Sequence, residues 1–278
     1  MVFISASLHL QNFLDRLARQ PAVLVQVEST QGSVPREAGT WMAVFDDALV
    51  GTIGGGHLEY QAIARARAML GAEPVEALAS TSERFALGPA LGQCCGGVMQ
   101  LRFERVSARD GQSLAIRLRG RCVPVALFGG GHVGHALVQV LAPLPFRLTW
   151  IDSRDGVFPD SLPECVVCEH SEPVQAAVAG LAPQSRVLIM SFSHAEDLDV
   201  LAACLKRQRD KADLPYIGLI GSKTKWAGFR RRLESRGFTP AELAHITCPI
   251  GVPGVTGKEP EVIAVAVAAQ LLQTLDKP

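Results

Sequence analysis

The 278-residue sequence lacks an excess of charge of either sign, because its 27 basic residues balance its 27 acidic ones. Proteins that bind nucleic acids or anionic membrane surfaces favour a basic excess, and we therefore expect neither as a partner. Hydrophobic residues make up 48% of the chain, yet no uninterrupted apolar run reaches the roughly 18 to 20 residues that a membrane span requires. The composition indicates a soluble protein with ample apolar material for a core.

The N-terminus also lacks the features of a secretory signal peptide. It has no basic start, and polar residues come early, at Gln11, Asp15 and Arg16. The seven cysteines are an odd number without a repeating framework, which is typical of reduced thiols rather than of structural disulfides. We therefore expect a cytoplasmic protein that begins with an amphipathic helix.

The two halves of the chain follow different patterns, with a boundary near residues 118 to 122. Residues 1–120 contain short β-rich runs broken by Gly, Pro and Asp, which together with one clear helical stretch predict a smaller N-terminal α+β domain. In residues 121–278, apolar strands alternate with helices. One of the predicted helices spans 172–181. This alternation predicts a C-terminal Rossmann-like domain, in which helices cover both faces of a parallel sheet, and the fold class is therefore α/β.

Gly-Gly-Gly-His occurs twice, and the second occurrence, within LFGGGHVGHA, has the setting of a dinucleotide-binding loop. Gly129, Gly131 and Gly134 fit G-x-G-x-x-G between an apolar strand and a helix. In that motif the first glycine permits a tight turn, the second lets a pyrophosphate approach, and the third lets the helix pack on the strand. Asp152 ends the next strand, at the position where proteins with this motif carry an acid that hydrogen-bonds a ribose hydroxyl. Arg154, two residues on, could bind a 2′-phosphate. A Rossmann-like domain whose nucleotide site is vestigial or reused is the alternative.

The first occurrence, within GTIGGGHLEY, lacks the packing glycine, because Glu59 stands at that position. A carboxylate in the first helical turn competes with a phosphate for the helix N-terminus, so this is not a second Rossmann loop. Gly54, Gly55 and Gly56 form either a plain strand-to-helix turn or a turn that a ligand approaches closely. His57 and Glu59 are too close in sequence to share a helical face, which argues against a metal pair but leaves each as a candidate pocket residue.

Two pairs of cysteines carry different expectations. Cys94 and Cys95 lie in a glycine-flanked loop, LGQCCGG, where an exposed thiol could bind a soft metal or carry sulfur; a buried apolar pair is the alternative. Cys165 and Cys168 have the spacing of a metal knuckle, but no second C-x-x-C and no suitably spaced histidine pair completes a zinc site. We therefore expect these two to be core cysteines.

Two further stretches carry candidate ligand contacts. Ser193 and Glu196 predict a capping box at the start of a helix, and His194 between them lies at the carboxyl edge of the predicted sheet, where ligands of such folds bind. The long loop at 247–258 is rich in Gly and Pro, and loops of this length in compact domains are usually functional. Its lone Lys258 suits an anionic ligand.

Seven stretches follow one another along nearly the whole chain, with only the interval from about 101 to 120 poorly marked. They are GSVPREAG (32–39), GTIGGGHLE (51–59), LGQCCGG (91–97), LFGGGHVG (127–134), WIDSRDGVFP (150–159), GLIGSKTKW (218–226) and CPIGVPGVTGKEPEVIA (248–264). In this order they resemble the XdhC/CoxI family, and more closely its XdhC branch, the accessory proteins of bacterial xanthine dehydrogenase.

The resemblance implies a maturation factor and cofactor chaperone rather than a metabolic enzyme. Members bind the molybdenum cofactor (molybdopterin), hold it while a cysteine desulfurase supplies the terminal sulfido ligand, and deliver it into apo-xanthine dehydrogenase. His57 supports the XdhC branch, whereas Cys94 departs from the family pattern and leaves open which thiol faces molybdenum or its sulfur. The two glycine turns are then expected to face a common cleft. The implied cofactor contacts are Gly54, Gly55, Gly56, His57, Glu59, Cys95, Gly129, Gly131, Gly134, Asp152, His194 and Lys258.

Two other functions stand beside this one. An NAD(P)-dependent oxidoreductase would use the second glycine loop, but the chain has only two tyrosines and no Tyr-x-x-x-Lys pair to serve in catalysis. A scaffold that only docks the dehydrogenase and the desulfurase would have no need of Cys95. The apolar C-terminal helix predicts a homodimer.

Overall fold

The computed structural model describes residues 6–72, 80–87, 96–118, 120 and 122–275. The chain divides into two compact units, Met1–Gly120 and Arg121–Lys277. Within the described residues, no helix combines the length and the apolar character needed to cross a membrane.

The N-terminal unit is built on a five-stranded antiparallel sheet with the order β3-β2-β1-β5-β4. Its strands are β1 (Ala22–Gln31), β2 (Trp41–Val44), β3 (Leu49–Gly51), β4 (Ser80–Ala86) and β5 (Val98–Val106), and its helices are α1 (Ala6–Leu17), α2 (Gly56–Leu70) and α3 (Gly111–Leu118). Successive side chains of a strand point to opposite faces. Val23 and Val25 therefore pack with α2 on one face, while Ala22 and Leu24 pack with α1 and α3 on the other.

The C-terminal unit is built on a six-stranded parallel sheet with the order β11-β10-β9-β6-β7-β8. Its strands are β6 (Val123–Phe128), β7 (Phe146–Asp152), β8 (Val166–His170), β9 (Arg186–Ile189), β10 (Tyr216–Leu219) and β11 (Ile246–Thr247), and its helices are α4 (His132–Leu141), α5 (His194–Lys211), α6 (Lys223–Ser235), α7 (Pro240–Leu243) and α8 (Pro260–Gln273). Read from β8 to β11, the order is that of the Rossmann fold.

Helices cover both faces of the parallel sheet. Val125 and Leu127 of β6 pack against α4 and α8, whereas Ala126 and Phe128 pack on the face that α5 and α6 cover. The predicted α/β fold class, with a Rossmann-like C-terminal domain and a smaller α+β domain, is confirmed.

One predicted element differs from the structure. The helix expected over 172–181 is a 3₁₀ helix, Val174–Gly180. Pro173 precedes it and Gly180 ends it, which leaves only seven residues, and short segments of this kind favour the tighter winding. The short helix α7 and the short strand β11 have no clear counterpart in the sequence pattern.

Candidate functional site

The carboxyl ends of β6 and β9 form the crevice at which the chain direction around the parallel sheet reverses. From β6 the chain crosses to β7 and β8 on one side, and it returns to β9 and β10 on the other. Ligands of open α/β sheets bind outside the carboxyl ends of the strands at this reversal point. The loops after β6, β7 and β9 therefore border the candidate site of this unit.

The glycine loop after β6 has the close packing that its spacing predicts. Gly129 has φ +124°, and a Cβ there would overlap the carbonyl oxygen of Met190. A Cβ on Gly134 would overlap the carbonyl oxygen of Gly129, so this helix can approach its strand only without a side chain there. Gly131 differs from both, because nothing lies within 4 Å of the position its Cβ would take. The loop thus combines two packing glycines with one that is open to a ligand.

The helix that follows this loop, α4, starts without a side-chain cap on its first amide groups. The N-cap residue of α4 is Gly131, which supplies no side-chain hydrogen bond. Ser193 and Ser222, in contrast, accept hydrogen bonds from the first turns of α5 and α6. Ser193 forms the predicted capping box with Glu196. Since uncapped N–H groups and the helix dipole favour anions, α4 presents the stronger anion site of the three.

Asp152 is buried at the carboxyl end of β7, with 2% of its surface exposed. Its Oδ2 accepts hydrogen bonds from the Gly130 N–H (2.5 Å) and from Arg154 Nη2 (2.9 Å). Its Oδ1 accepts from the N–H and from Nε of Arg154, each at 2.9 Å. Burial alone would raise the pKa of Asp152, but the hydrogen bonds from Arg154 and Gly130 outweigh it and lower that pKa below 3.8. The carboxylate is therefore ionised and fully engaged, and its contact with a ribose stays a prediction.

Two contacts join the loop after β7 to the loop after β9 and the start of α5. The guanidinium carbon of Arg154 lies 4.5 Å from the centre of the Phe192 ring, which is 66% exposed. Ser153 donates a hydrogen bond of 2.6 Å to Glu196. Because β6 lies between β7 and β9 in the sheet, both contacts cross the end of β6. Phe192 was not among the residues predicted from the sequence; its signal there is an aromatic residue between two serines, shortly after a buried strand.

A buried ion pair joins the first turns of α5 and α6, the helices that follow β9 and β10, and it too was missed. Lys225 Nζ lies 2.7 Å from Asp197 Oδ2 and donates a second hydrogen bond, of 3.0 Å, to the carbonyl of Ile220. Asp197 Oδ1 accepts from the Ser191 N–H at 2.7 Å. Burial raises the pKa of the nearby Cys248 thiol, although Lys225 opposes this. The pair holds the edge of the crevice in one conformation.

The other predicted contacts of this unit lie on the surface. His194 begins α5 and is exposed, with its ring centre 6.1 Å from that of Phe229. Lys258 is exposed in the loop before α8, where its N–H donates to Glu259. Cys165 and Cys168 are half-buried, and burial raises the pKa of both thiols. They pack against the core as expected, and no cluster of metal-ligating side chains occurs among the described residues.

In the N-terminal unit, Glu59 lies in the first turn of α2, and its carboxylate reaches back to the turn before this helix. Its Oε2 accepts hydrogen bonds from the N–H groups of Ile53 (2.9 Å) and Gly55 (3.1 Å) and from the Thr52 hydroxyl. The carboxylate thus occupies backbone donors that an anion would need. This is the competition that the sequence predicts from Glu59 at the position of the motif's packing glycine. This glycine turn differs in geometry from the one after β6.

Three separate motif stretches meet beside this turn. A Cβ on Gly54 would lie 2.8 Å from Pro35 Cβ, and one on Gly97 would overlap the carbonyl oxygen of Ser33. The stretches 32–39, 51–59 and the end of 91–97 therefore form one surface. Two of its glycines are open, since no described atom beyond the neighbouring residues lies within 4 Å of a Cβ built on Gly55 or Gly96.

The remaining described side chains around this surface are those of a histidine and an arginine. His57 is exposed, with Nε2 3.1 Å from Gln61 Nε2. Arg36 is exposed and forms no hydrogen bond or ion pair within the described part of the chain. Cys94 and Cys95, the predicted thiols, lie outside the described residues, and Gly96 is the next residue along the chain.

Comparisons with known families match both units of the chain. The model of the XdhC Rossmann domain matches residues 125–271, more than half of the chain. The model of the XdhC and CoxI family matches residues 16–78. These two ranges contain both of the Gly-Gly-Gly-His turns described above.

Individual proteins are similar at lower identity. The chain is 27% identical over 261 residues to the uncharacterized protein YqeB of Escherichia coli (strain K12), a match that covers 91% of this chain. It covers 43% of YqeB, so the chain spans less than half the length of this relative. A crystal structure described as a xanthine dehydrogenase from Bacillus halodurans matches with a TM-score of 0.74 and 20% identity, over 96% of this chain and 95% of that one. At that identity the likeness establishes the fold.

Proposed function

The chain belongs to the XdhC family, as its motifs predict, and on that premise we propose that it is an accessory protein of xanthine dehydrogenase. In this proposal it binds the molybdenum cofactor as cargo and holds it while a cysteine desulfurase supplies the sulfido ligand. It then delivers the cofactor into the apo-enzyme. The observation that carries the proposal is the meeting of three motif stretches at one glycine-lined surface in the N-terminal unit.

The groups on this surface suit the parts of the cofactor. The open positions at Gly55 and Gly96 let a flat pterin approach the backbone without meeting a side chain. Arg36 is an exposed cation without a partner in the described chain, and a guanidinium binds phosphate well. Cys95 is the residue before Gly96, and a thiol is a suitable ligand for molybdenum or its sulfur.

Glu59 has a positioning role in this proposal. Its carboxylate accepts hydrogen bonds from the backbone of Ile53 and Gly55, and it therefore holds the turn in one conformation instead of contacting the phosphate. His57, one turn from Gln61 on α2, is left as the side chain that borders the pterin.

The direct test is cofactor retention. Purified protein is incubated anaerobically with free molybdenum cofactor, passed through gel filtration, and analysed for molybdenum and pterin before it is mixed with apo-xanthine dehydrogenase. We expect both cofactor retention and activation of the dehydrogenase. Failure of both would remove the proposal, while activation without retention would favour a scaffold that only docks its partners.

The open surface can be tested with glycine substitutions that leave the fold intact. Gly96→Ala places a methyl group in open space, because no described atom lies within 4 Å of the position of its Cβ. We expect cofactor affinity to fall by about tenfold or more, a change of roughly 1.4 kcal/mol, measured by pterin fluorescence. Gly111→Ala is the matched control, since Gly111 is equally open but lies at the start of α3. Equal affinities for the two variants would place the cofactor elsewhere.

The thiol is tested with Cys95→Ala. We expect the variant to fold normally and to lose cofactor retention or sulfuration, measured as molybdenum bound and as dehydrogenase activated. Cys168→Ala serves as the control, because Cys168 packs against the core of the other unit. If Cys95→Ala activates the dehydrogenase as well as the wild type does, the thiol has no role in the transfer.

A further inference from the structure

We propose that the crevice of the C-terminal unit binds a nucleotide whose ribose carries a phosphate, the chemical class of NADP, and that Arg154 selects for that phosphate. This ligand and this unit are separate from the molybdenum cofactor and the glycine surface of the N-terminal unit. The inference therefore does not rest on the proposed function.

The first step is that Asp152 has no free acceptor for a ribose hydroxyl. A carboxylate offers about four lone-pair sites, and the structure uses four: one for the Gly130 N–H and three for the main chain and side chain of Arg154. A hydroxyl group that binds here as a donor must displace one of these bonds. The arrangement differs from a site in which the acid grips an unphosphorylated ribose.

In place of a free carboxylate oxygen, the crevice presents the N–H donors of Arg154. Arg154 uses Nε and Nη2 on Asp152, while Nη1 makes no hydrogen bond in the described chain, and the side chain is 35% exposed. A guanidinium has five N–H donors, so the outer edge of Arg154 can bind a phosphate while its inner edge stays on the carboxylate. Phosphate binds such an edge through two parallel hydrogen bonds.

The base of the nucleotide also has a binding surface beside Arg154. The Arg154 guanidinium lies against the face of Phe192, an aromatic side chain that is 66% exposed. An exposed cation–π contact contributes only about 0.5–1 kcal/mol, and planar bases stack well on both arginine and aromatic groups. A purine can therefore stack on the exposed part of the Phe192 ring, beside the Arg154 guanidinium. Phe192 and Arg154 come from the loops on opposite sides of β6.

The fourth step concerns the phosphates nearer the sheet. Gly131 is open, and α4 starts without a side-chain cap, so its first amides can donate to a pyrophosphate. Two carboxylates border this crevice and both are engaged: Asp152 by Gly130 and Arg154, and Glu196 by Ser153 and the Ser193 N–H. Ser191 Oγ, in the loop after β9, is buried without a hydrogen-bond partner among the described residues, and a ligand hydroxyl would supply one.

The test is calorimetry of the full chain with NADP and with NAD. We expect NADP to bind at least about tenfold more tightly than NAD, within the range that hydrogen bonds to a charged group contribute. Arg154→Gln should lower the affinity for NADP by roughly ten- to a hundredfold and bring it to that of NAD. Arg147→Gln, which removes an exposed arginine from β7, should leave both affinities unchanged.

A second pair of variants distinguishes the role of the glycine loop after β6 from that of Arg154. Gly131→Ala should weaken NADP and NAD alike, because the methyl group blocks the approach of the pyrophosphate, whereas Gly180→Ala, at an equally open glycine, should weaken neither. The absence of NADP binding at millimolar concentration would overturn the proposal. Equal affinities of the wild type for NADP and NAD, or an Arg154→Gln variant that still prefers NADP, would overturn the role of Arg154. Cofactor retention is measured on the same samples, so failure of one activity leaves the other visible.

Discussion

Single residues determine the conformation of the crevice through contacts with residues that are distant in sequence. Asp197 and Lys225 are 3% and 13% exposed, and their ion pair links the first turns of α5 and α6. Their further hydrogen bonds reach Ser191 and Ile220 in the loops at the sheet edge. Removing one partner of a buried pair leaves an uncompensated charge, which costs far more than the intact pair contributes. This pair therefore acts chiefly to specify one arrangement of the loops after β9 and β10.

Lys225→Met tests this role. We expect the free energy of unfolding to fall by about 3–5 kcal/mol, because the Asp197 carboxylate is left buried and unpaired. The double variant Lys225→Met/Asp197→Asn should recover much of the loss, since the amide oxygen still accepts from Ser191. Urea unfolding measures both changes. Lys223→Met, at the exposed start of α6, is the control, and equal stability of the two lysine variants would show that the pair is dispensable.

A pH dependence follows from Asp152. Its pKa is lowered in the folded chain, so its stabilising effect is fully present above the ordinary value of 3.8 and is lost as the pH falls through the lower folded value. We expect Asp152→Asn to destabilise the protein by about 1–3 kcal/mol at pH 7, and this difference should shrink as the pH drops below about 4. Unfolding at a series of pH values measures it. A difference that does not change with pH would show that the carboxylate charge contributes nothing.

At the scale of elements, two helices follow Gly-Gly-Gly-His turns and pack in different ways. In α2, Leu58, Ala62, Ala66 and Met69 recur at helical spacing and form an ordinary apolar stripe on the antiparallel sheet. In α4, the contact with β6 depends on a glycine, because the carbonyl oxygen of Gly129 occupies the space of a Cβ on Gly134. The position of α4, and with it the anion site, is therefore set by main-chain contact.

Gly134→Ala should disturb that contact. The added methyl group meets backbone that cannot move aside cheaply, and we expect a loss of about 1–3 kcal/mol in stability together with weaker NADP binding. Gly228→Ala within α6 meets nothing within 4 Å and should instead raise stability by up to about 1 kcal/mol, through higher helix propensity. Thermal unfolding of the two variants should shift in opposite directions, and shifts in the same direction would contradict the packing argument.

At the scale of the whole molecule, the chain consists of two units, each with its own cores. In the described residues, both clusters around the antiparallel sheet draw their members from Met1–Gly120, and both around the parallel sheet draw theirs from Arg121–Lys277. A unit of this kind has the buried apolar surface that independent folding requires. The two ligands proposed above are correspondingly assigned to different units.

Expression of residues 121–278 alone tests this division. We expect a cooperative thermal transition by circular dichroism, and NADP affinity within about threefold of that of the full chain, since a difference of that size is under 1 kcal/mol. Residues 1–120 should show no NADP binding. A non-cooperative transition for the C-terminal fragment would show that it depends on the rest of the chain for folding.

The sequence alone determined the features that neighbouring residues encode. Strand alternation, helix spacing, the capping box at Ser193 and the glycine loop after β6 depend on spacings of two to six residues, and the structure shows them where the patterns predict them. The order of motifs in addition identified the family. The exception at 172–181 is also local, because it concerns only how tightly a short segment winds.

Only the tertiary structure decided which distant groups meet. The pairing of Asp197 with Lys225, the contact of Arg154 with Phe192, and the meeting of Gly97 with Ser33 depend on strand order and register. Even the contact between Asp152 and Arg154, which are two residues apart, depends on the tertiary structure. Burial and the Gly130 N–H determine how the carboxylate is oriented. These contacts form only when sheets and helices pack together. Packing brings together elements that are far apart in sequence, and no spacing along the chain therefore encodes these contacts.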